Sequence, residues 1–363
     1  RKSLDWRTAH CSSVPSECYG RRSWRRITVT VHIYPWQQLP QVSWNSLLLG
    51  NGASIAIDPR FNYQSLYQLA LSAGRLPTSG PLFTMLGTTD FERVLLACWH
   101  AHLVNSAFPP PSPNITAAYH EVRDGLIAAV QQVHPDPANL AAALHQIGVF
   151  ASPFETVVTF NYDITLYWAM QEFNNKNGQW FKDAFISGVF DPNLQKYRQN
   201  YGGAGGATLV FYAHGSLALA RDVRGMEIKL TASPFAPGTQ SPLLNTITAR
   251  WSAGTHMPLF VSEGTSDAKM ASIRRSFYLS TVYDQVLSNL GGNIVVYGLE
   301  FSDNDQHILD AVKRTPPSLM AISVFCGIPV NEQQAYCHRI MSQVTRHMPN
   351  TQVLFFDSGS SGC

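Results

Sequence analysis

Charged side chains are scarce in this chain of 363 residues: Asp, Glu, Lys and Arg together make up 14%, where a soluble domain usually carries about a quarter. So thinly charged a surface is compatible with burial in an oligomer. The signs are nearly balanced, 26 basic against 24 acidic residues for a net charge of +2, too little to draw a nucleic acid by charge alone. No apolar run approaches the ~20 residues that span a bilayer, and no membrane helix is expected. The six cysteines (Cys11, Cys18, Cys98, Cys326, Cys337 and Cys363) include no Cys-x-x-Cys pair, which argues against a zinc ribbon and against a secreted disulfide framework. No basic start leads into an apolar core with a small-residue cleavage site, so the expectation is no signal peptide and a cytoplasmic protein.

What is present is an alternation of short apolar strands with helical patterns. It predicts an α/β fold with a doubly wound parallel, Rossmann-like sheet. Residues 1–40 read as an arm of unclear role, basic over 1–26, with an edge strand over Ile27 to Tyr34; residues 41–363 read as the folded domain. Amphipathic patterns over Asp90–Val104, Ala117–Val133 and Pro137–Ile147 predict a helical insertion at about 82–148. Its histidines do not make a metal site: His100 and His102 are two apart on a helix, hence on different faces.

Three predicted strands end in polar or glycine-rich residues, and in an open α/β sheet ligands sit outside the carboxyl ends of strands. The stretch Thr156–Phe160 delivers Asn161 and Asp163; Leu47–Leu49 delivers Gly50, Asn51, Gly52 and Ser54; Leu209–Ala213 delivers His214. A later strand, Asn293–Tyr297, is broken by Gly298. A glycine turn lets backbone approach a phosphate closely, an asparagine orients a water or ribose hydroxyl without titrating, and an unperturbed histidine is a base near neutral pH. The glycine-rich run 202–206 reads as a flexible loop over this site.

In this order the motifs resemble those of the sirtuins. Gly50-Asn51-Gly52-Ala53-Ser54 is similar to the sirtuin Gly-Ala-Gly-x-Ser, Thr159-Phe160-Asn161-Tyr162-Asp163 to Thr-Gln-Asn-Ile-Asp, and His214-Gly215-Ser216 to the His-Gly-Ser that carries the catalytic histidine. Nearer still is the zinc-less, sirtuin-like NAD-hydrolase branch of bacterial antiphage defence, whose Gly-x-x-x-Ser-Asp-x-Asp-x-His-Ile element resembles Gly298–Ile308. The resemblance covers roughly residues 44–315 and implies that Asn161 and His214 are catalytic. It places Gly50, Asn51, Gly52, Ser54, Asp163 and Gly298 around NAD, with Asp163 on the nicotinamide side.

The four-cysteine zinc module that frames the acyl-lysine cleft of deacylating sirtuins is missing. The resemblance therefore implies an NAD glycohydrolase yielding nicotinamide and ADP-ribose, an abortive-defence effector with NAD as substrate and no metal. Such enzymes work as homo-oligomers or with a partner defence protein; nucleic acid would enter only as an indirect trigger. The alternatives are a non-catalytic NAD or ADP-ribose sensor and an NAD-dependent protein deacylase.

Overall fold

The computed structural model describes residues 30–62, 65–108, 110–233, 241–261 and 265–361. The arm reading for residues 1–29 lies outside them. Strands β1 (Ile33–Tyr34) and β2 (Ser46–Leu49) come first, then six helices: α1 (Asn51–Ile57), α2 (Leu66–Ser72), α3 (Gly80–Met85), α4 (Phe91–Ala107), α5 (Pro113–Val133) and α6 (Ala141–Ala151). Next are β3 (Thr156–Thr159), α7 (Thr165–Asn177) and the short strands β4 (Phe181–Lys182), β5 (Phe185–Ile186) and β6 (Val189–Phe190). Strands β7 (Thr208–Tyr212), β8 (Gly215–Asp222) and β9 (Glu227–Lys229) lead to α8 (Pro242–Ser252), β10 (His256–Phe260), α9 (Ser266–Arg274) and α10 (Phe277–Thr281). The chain closes with β11 (Asn293–Tyr297), α11 (Gln306–Val312), β12 (Leu319–Val324), α12 (Val330–His347) and β13 (Gln352–Asp357).

Eight strands build one sheet in the order β1-β13-β12-β11-β2-β3-β7-β4, every pair parallel. Helices cover a parallel sheet on both faces, so its strands read as unbroken apolar runs; β2, β3, β7 and β12 are buried at every position. From β2 the chain steps outward through β3 to β7, then crosses to the other side for β11, β12 and β13. This is a Rossmann-like winding, and its order reverses between β2 and β11. At such a reversal the connections leave in opposite directions and open a crevice at the strand ends.

The helical insertion fills the whole interval between β2 and β3, earlier at its start than residue 82. Residues 31–40 belong to the sheet domain, not to an arm: β1 pairs with β13, and the Trp36 ring packs on Phe150 and Phe356. Between Ser266 and Thr281 the helical path breaks into α9 and α10, because the Ser276 hydroxyl caps α10 by accepting from Leu279 N at 3.1 Å.

A second sheet, β10-β8-β9-β6-β5, is antiparallel throughout. Strand β10 belongs to this sheet and not to the parallel one, pairing with β8. The glycine run 202–206 precedes β7, so it sits at the amino end of that strand, opposite the polar strand ends. It packs on Trp180: a Cβ on Gly206 would lie 2.5 Å from the indole, whose Nε1 donates to Ser152 O at 3.0 Å. It does not cover the site.

Candidate functional site

Strands β2 and β11 pair up to Leu49 and Tyr297, and Gly50 and Gly298 each follow by one residue. Gly50 N donates to Tyr297 O and Gly52 N to Gly298 O, both at 2.9 Å. A Cβ on Gly50 would lie 2.5 Å from Gly298 O, and one on Gly298, whose φ is +68°, 2.4 Å from Ala53 N. Glycine is therefore required at both positions by close backbone approach, and at Gly298 also by the left-handed conformation. The amides of Gly50 and Gly52 are already spent on these bonds, so they do not point at a phosphate as the sequence suggested. The glycines contribute room at the order reversal. Asn51 is exposed, and its Nδ2 reaches Phe61 O at 3.4 Å, away from the other candidates.

Beyond the β3 end, a short polar chain links Asn161, Ser54 and Asp163. Asn161 Nδ2 donates to Gly50 O and to Ser54 Oγ, each at 2.9 Å. Ser54 Oγ in turn donates to Asp163 Oδ2 at 2.6 Å, and Asp163 Oδ1 accepts from Thr165 N at 2.8 Å and from the Thr165 hydroxyl. A backbone carbonyl can only accept, so Gly50 fixes which end of the Asn161 amide faces it. Asn161 Oδ1 is left without a partner among the described residues, on a half-buried side chain that a ligand can reach. Asp163, only 5% exposed, acts through Ser54 to hold Asn161.

His214 occupies the two-residue link between β7 and β8. Thr159 pairs with Tyr212, so Asn161 and His214 each stand two residues past the same rung. Gly215 has φ +76°, and a Cβ there would lie 2.2 Å from Leu259 O, so only glycine lets the chain turn out of the parallel sheet into β8. That turn delivers the His214 imidazole inward, 4% exposed, with Phe160 edge-on at 5.1 Å between ring centroids. Its Nε2 lies 2.8 Å from Nε2 of His307, at the start of α11. His307 Nδ1 lies 3.1 Å from Ser266 Oγ, which also accepts the His307 backbone N–H at 2.9 Å.

Burial and the nearby Lys269 charge push His214 well below the usual histidine range, against a favourable influence of the Phe160 backbone. The same two causes bring His307 down to about 4, opposed by Asp305 and Asp310. Both rings are neutral at pH 7. Lys269, itself buried, pairs with Asp305 Oδ1 at 2.8 Å. Burial raises Asp305, but Lys269 and the Ser302 hydroxyl hold it below the carboxylate range. Phe301, buried between Gly298 and α11, has φ +47°, a left-handed conformation that costs a bulky residue about 1–3 kcal/mol and concentrates at functional sites.

Of the predicted residues, Gly50, Gly52, Ser54, Asn161, Asp163 and Gly298 form one connected cluster, His214 stands beside it, and Asn51 stands apart. Sequence reasoning missed Ser266, Lys269, Asp305 and His307. Asp305 and His307 lie inside the Gly298–Ile308 element, and that spacing was the signal available. The model of the family described as Domain of unknown function (DUF4917) matches residues 47–363, most of the chain, and the chain belongs to that family. No curated protein matches it.

Proposed function

We propose that this chain is an NAD glycohydrolase. The observation that carries the reading is the convergence at one winding reversal: Gly50, Gly52 and Gly298 interlock there, and Asn161 and His214 extend from the two strands alongside. A dinucleotide is the ligand suited to such a crevice. In the reaction the bond from ribose C1′ to the nicotinamide nitrogen breaks and an oxocarbenium-like ribose forms. Water adds to C1′ and loses one proton, giving nicotinamide, ADP-ribose and H⁺. Asn161 Oδ1 accepts from the water or a ribose hydroxyl, and the neutral His214 takes up the proton. Ser54 and Asp163 hold the Asn161 amide in register.

The resemblance to antiphage sirtuin-like proteins supports an abortive-defence role in the cytoplasm, carried out as a homo-oligomer or with a partner protein. A second reading, a non-catalytic sensor of NAD or ADP-ribose, is favoured by one observation: the His214 ring is buried and its Nε2 is engaged by His307. Mass spectrometry of NAD incubated with the protein, alone and at concentrations that drive assembly, separates the two. Nicotinamide and ADP-ribose in equal amounts support the enzyme. NAD bound but intact supports the sensor.

A further inference from the structure

In the sheet order β11-β2-β3-β7, β7 and β11 are three inter-strand spacings apart, roughly 14 Å. Yet His214, carried past the end of β7, and His307, carried past the end of β11, meet nitrogen to nitrogen at 2.8 Å. Their ring planes differ by 25° and their centroids are 5.1 Å apart, the arrangement of an in-plane N–H···N bond and not of a face-to-face stack. The two side chains thus bridge the strand ends that carry Gly50 and Asn161.

The partners determine where the protons lie. Two imidazoles in such a bond share one proton: one Nε2 donates and the other accepts. The Ser266 hydroxyl already accepts the His307 backbone N–H, so its own proton goes to the ring nitrogen facing it, His307 Nδ1. A neutral His307 then carries its proton on Nε2, which makes His214 Nε2 the acceptor and leaves the His214 proton on Nδ1. His307 Nε2–H is then the donor, and its Nδ1 lone pair receives the Ser266 hydroxyl. The chain runs in one direction, from Ser266 through His307 to His214. Ser266 is its half-buried end, whereas both rings are buried. The charged groups facing the pair are Lys269 on α9 with Asp305 and Asp310 beside His307.

We propose that His307 is a positioning residue of this site, which holds His214 as its Nδ1-protonated tautomer and, with Ser266, conducts the proton to a base that solvent does not reach. The proposal rests on the glycohydrolase reading for its substrate. A water proton passes to Ser266 Oγ as the Ser266 proton passes to His307 Nδ1 and the His307 Nε2 proton to His214 Nε2. One O–H bond of water breaks, one N–H bond forms on His214, and hydroxide adds to C1′. The reverse order returns the proton to solvent.

The test joins ring-nitrogen NMR of 15N-histidine-labelled protein to NAD turnover. The His214 signals, assigned by their loss in His214→Gln, are expected to show protonated Nδ1 and bare Nε2 from pH 6 to 8. In His307→Gln the amide still donates to His214 but relays no proton. The tautomer should persist while kcat falls ~100-fold, within the usual range for proton transfer, and KM stays within about twofold. His307→Phe should lose the single tautomer, and Ser266→Ala should lower kcat about tenfold. Thermal unfolding checks that each variant is folded. A proton on His214 Nε2 in the wild type, or full turnover by His307→Gln, overturns the proposal. If the wild type leaves NAD intact, the glycohydrolase reading fails, and the tautomer measurement alone still decides the positioning claim.

Discussion

Asn161 Nδ2 donates to the main-chain carbonyl of Gly50 at 2.9 Å, tying the end of β3 to the end of β2 at the point where the sheet reverses its winding. Because Ser54 Oγ accepts from the same nitrogen and donates to Asp163, the amide cannot turn without breaking two bonds. Replacing Asn161 with Asp sets a carboxylate against a carbonyl that only accepts. We expect Asn161→Asp to lose about 1–3 kcal/mol of stability and all NAD turnover. Thermal unfolding and nicotinamide release measure the two effects, and a variant as stable as the wild type would show that this bond carries little.

Gly298→Ala tests the splice between β2 and β11. Its Cβ would lie 2.4 Å from Ala53 N at a φ of +68°, so the Gly50–Ala53 turn must move away from β11. The left-handed conformation alone costs about 1–3 kcal/mol, and the clash adds to it. The expected outcome is a lower unfolding midpoint together with weakened NAD binding in calorimetry. Unchanged binding by a folded variant would place the dinucleotide elsewhere.

Acid stability follows from the buried histidines. His214 and His307 are held below 6.5 in the fold, mainly by burial, as is His134, whose Nδ1 bonds Val130 O at 2.9 Å. Unfolded, they take up protons near pH 6.5, so the folded chain binds fewer protons below that pH. Their stabilisation is complete above about 6.5 and is lost progressively as the pH falls below it, for His307 down to about 4. For His307, an interval from 6.5 to about 4 at about 1.4 kcal/mol per pH unit amounts to about 3 kcal/mol. The unfolding midpoint should fall steadily from pH 7 to 5, and less steeply in His307→Gln. A midpoint flat over that range contradicts the neutral, buried assignment.

The winding was legible in the sequence because buried parallel strands announce themselves as apolar runs such as Val157–Val158 and Leu47–Leu49, with polar residues only where they end. The antiparallel sheet was not. Strands β4, β5 and β6 are two residues long, and β8, buried along most of its length, lacks the in-out alternation that marks an exposed hairpin. Asn161, Ser54 and Asp163 were found as separate motif positions, but their hydrogen-bond order depends on the Gly50 carbonyl, which no side-chain pattern reveals. His307 escaped because its role comes from a partner 93 positions away.

The central claim is that one crevice holds NAD against Asn161 and His214 and breaks its glycosidic bond. The most direct measurement is a product-resolved NAD assay on three folded proteins: wild type, Asn161→Ala and His214→Ala. We predict stoichiometric nicotinamide and ADP-ribose from the wild type, and a loss of ~100-fold or more in each variant. Turnover retained by both variants, or none by the wild type in any state of assembly, would contradict the account.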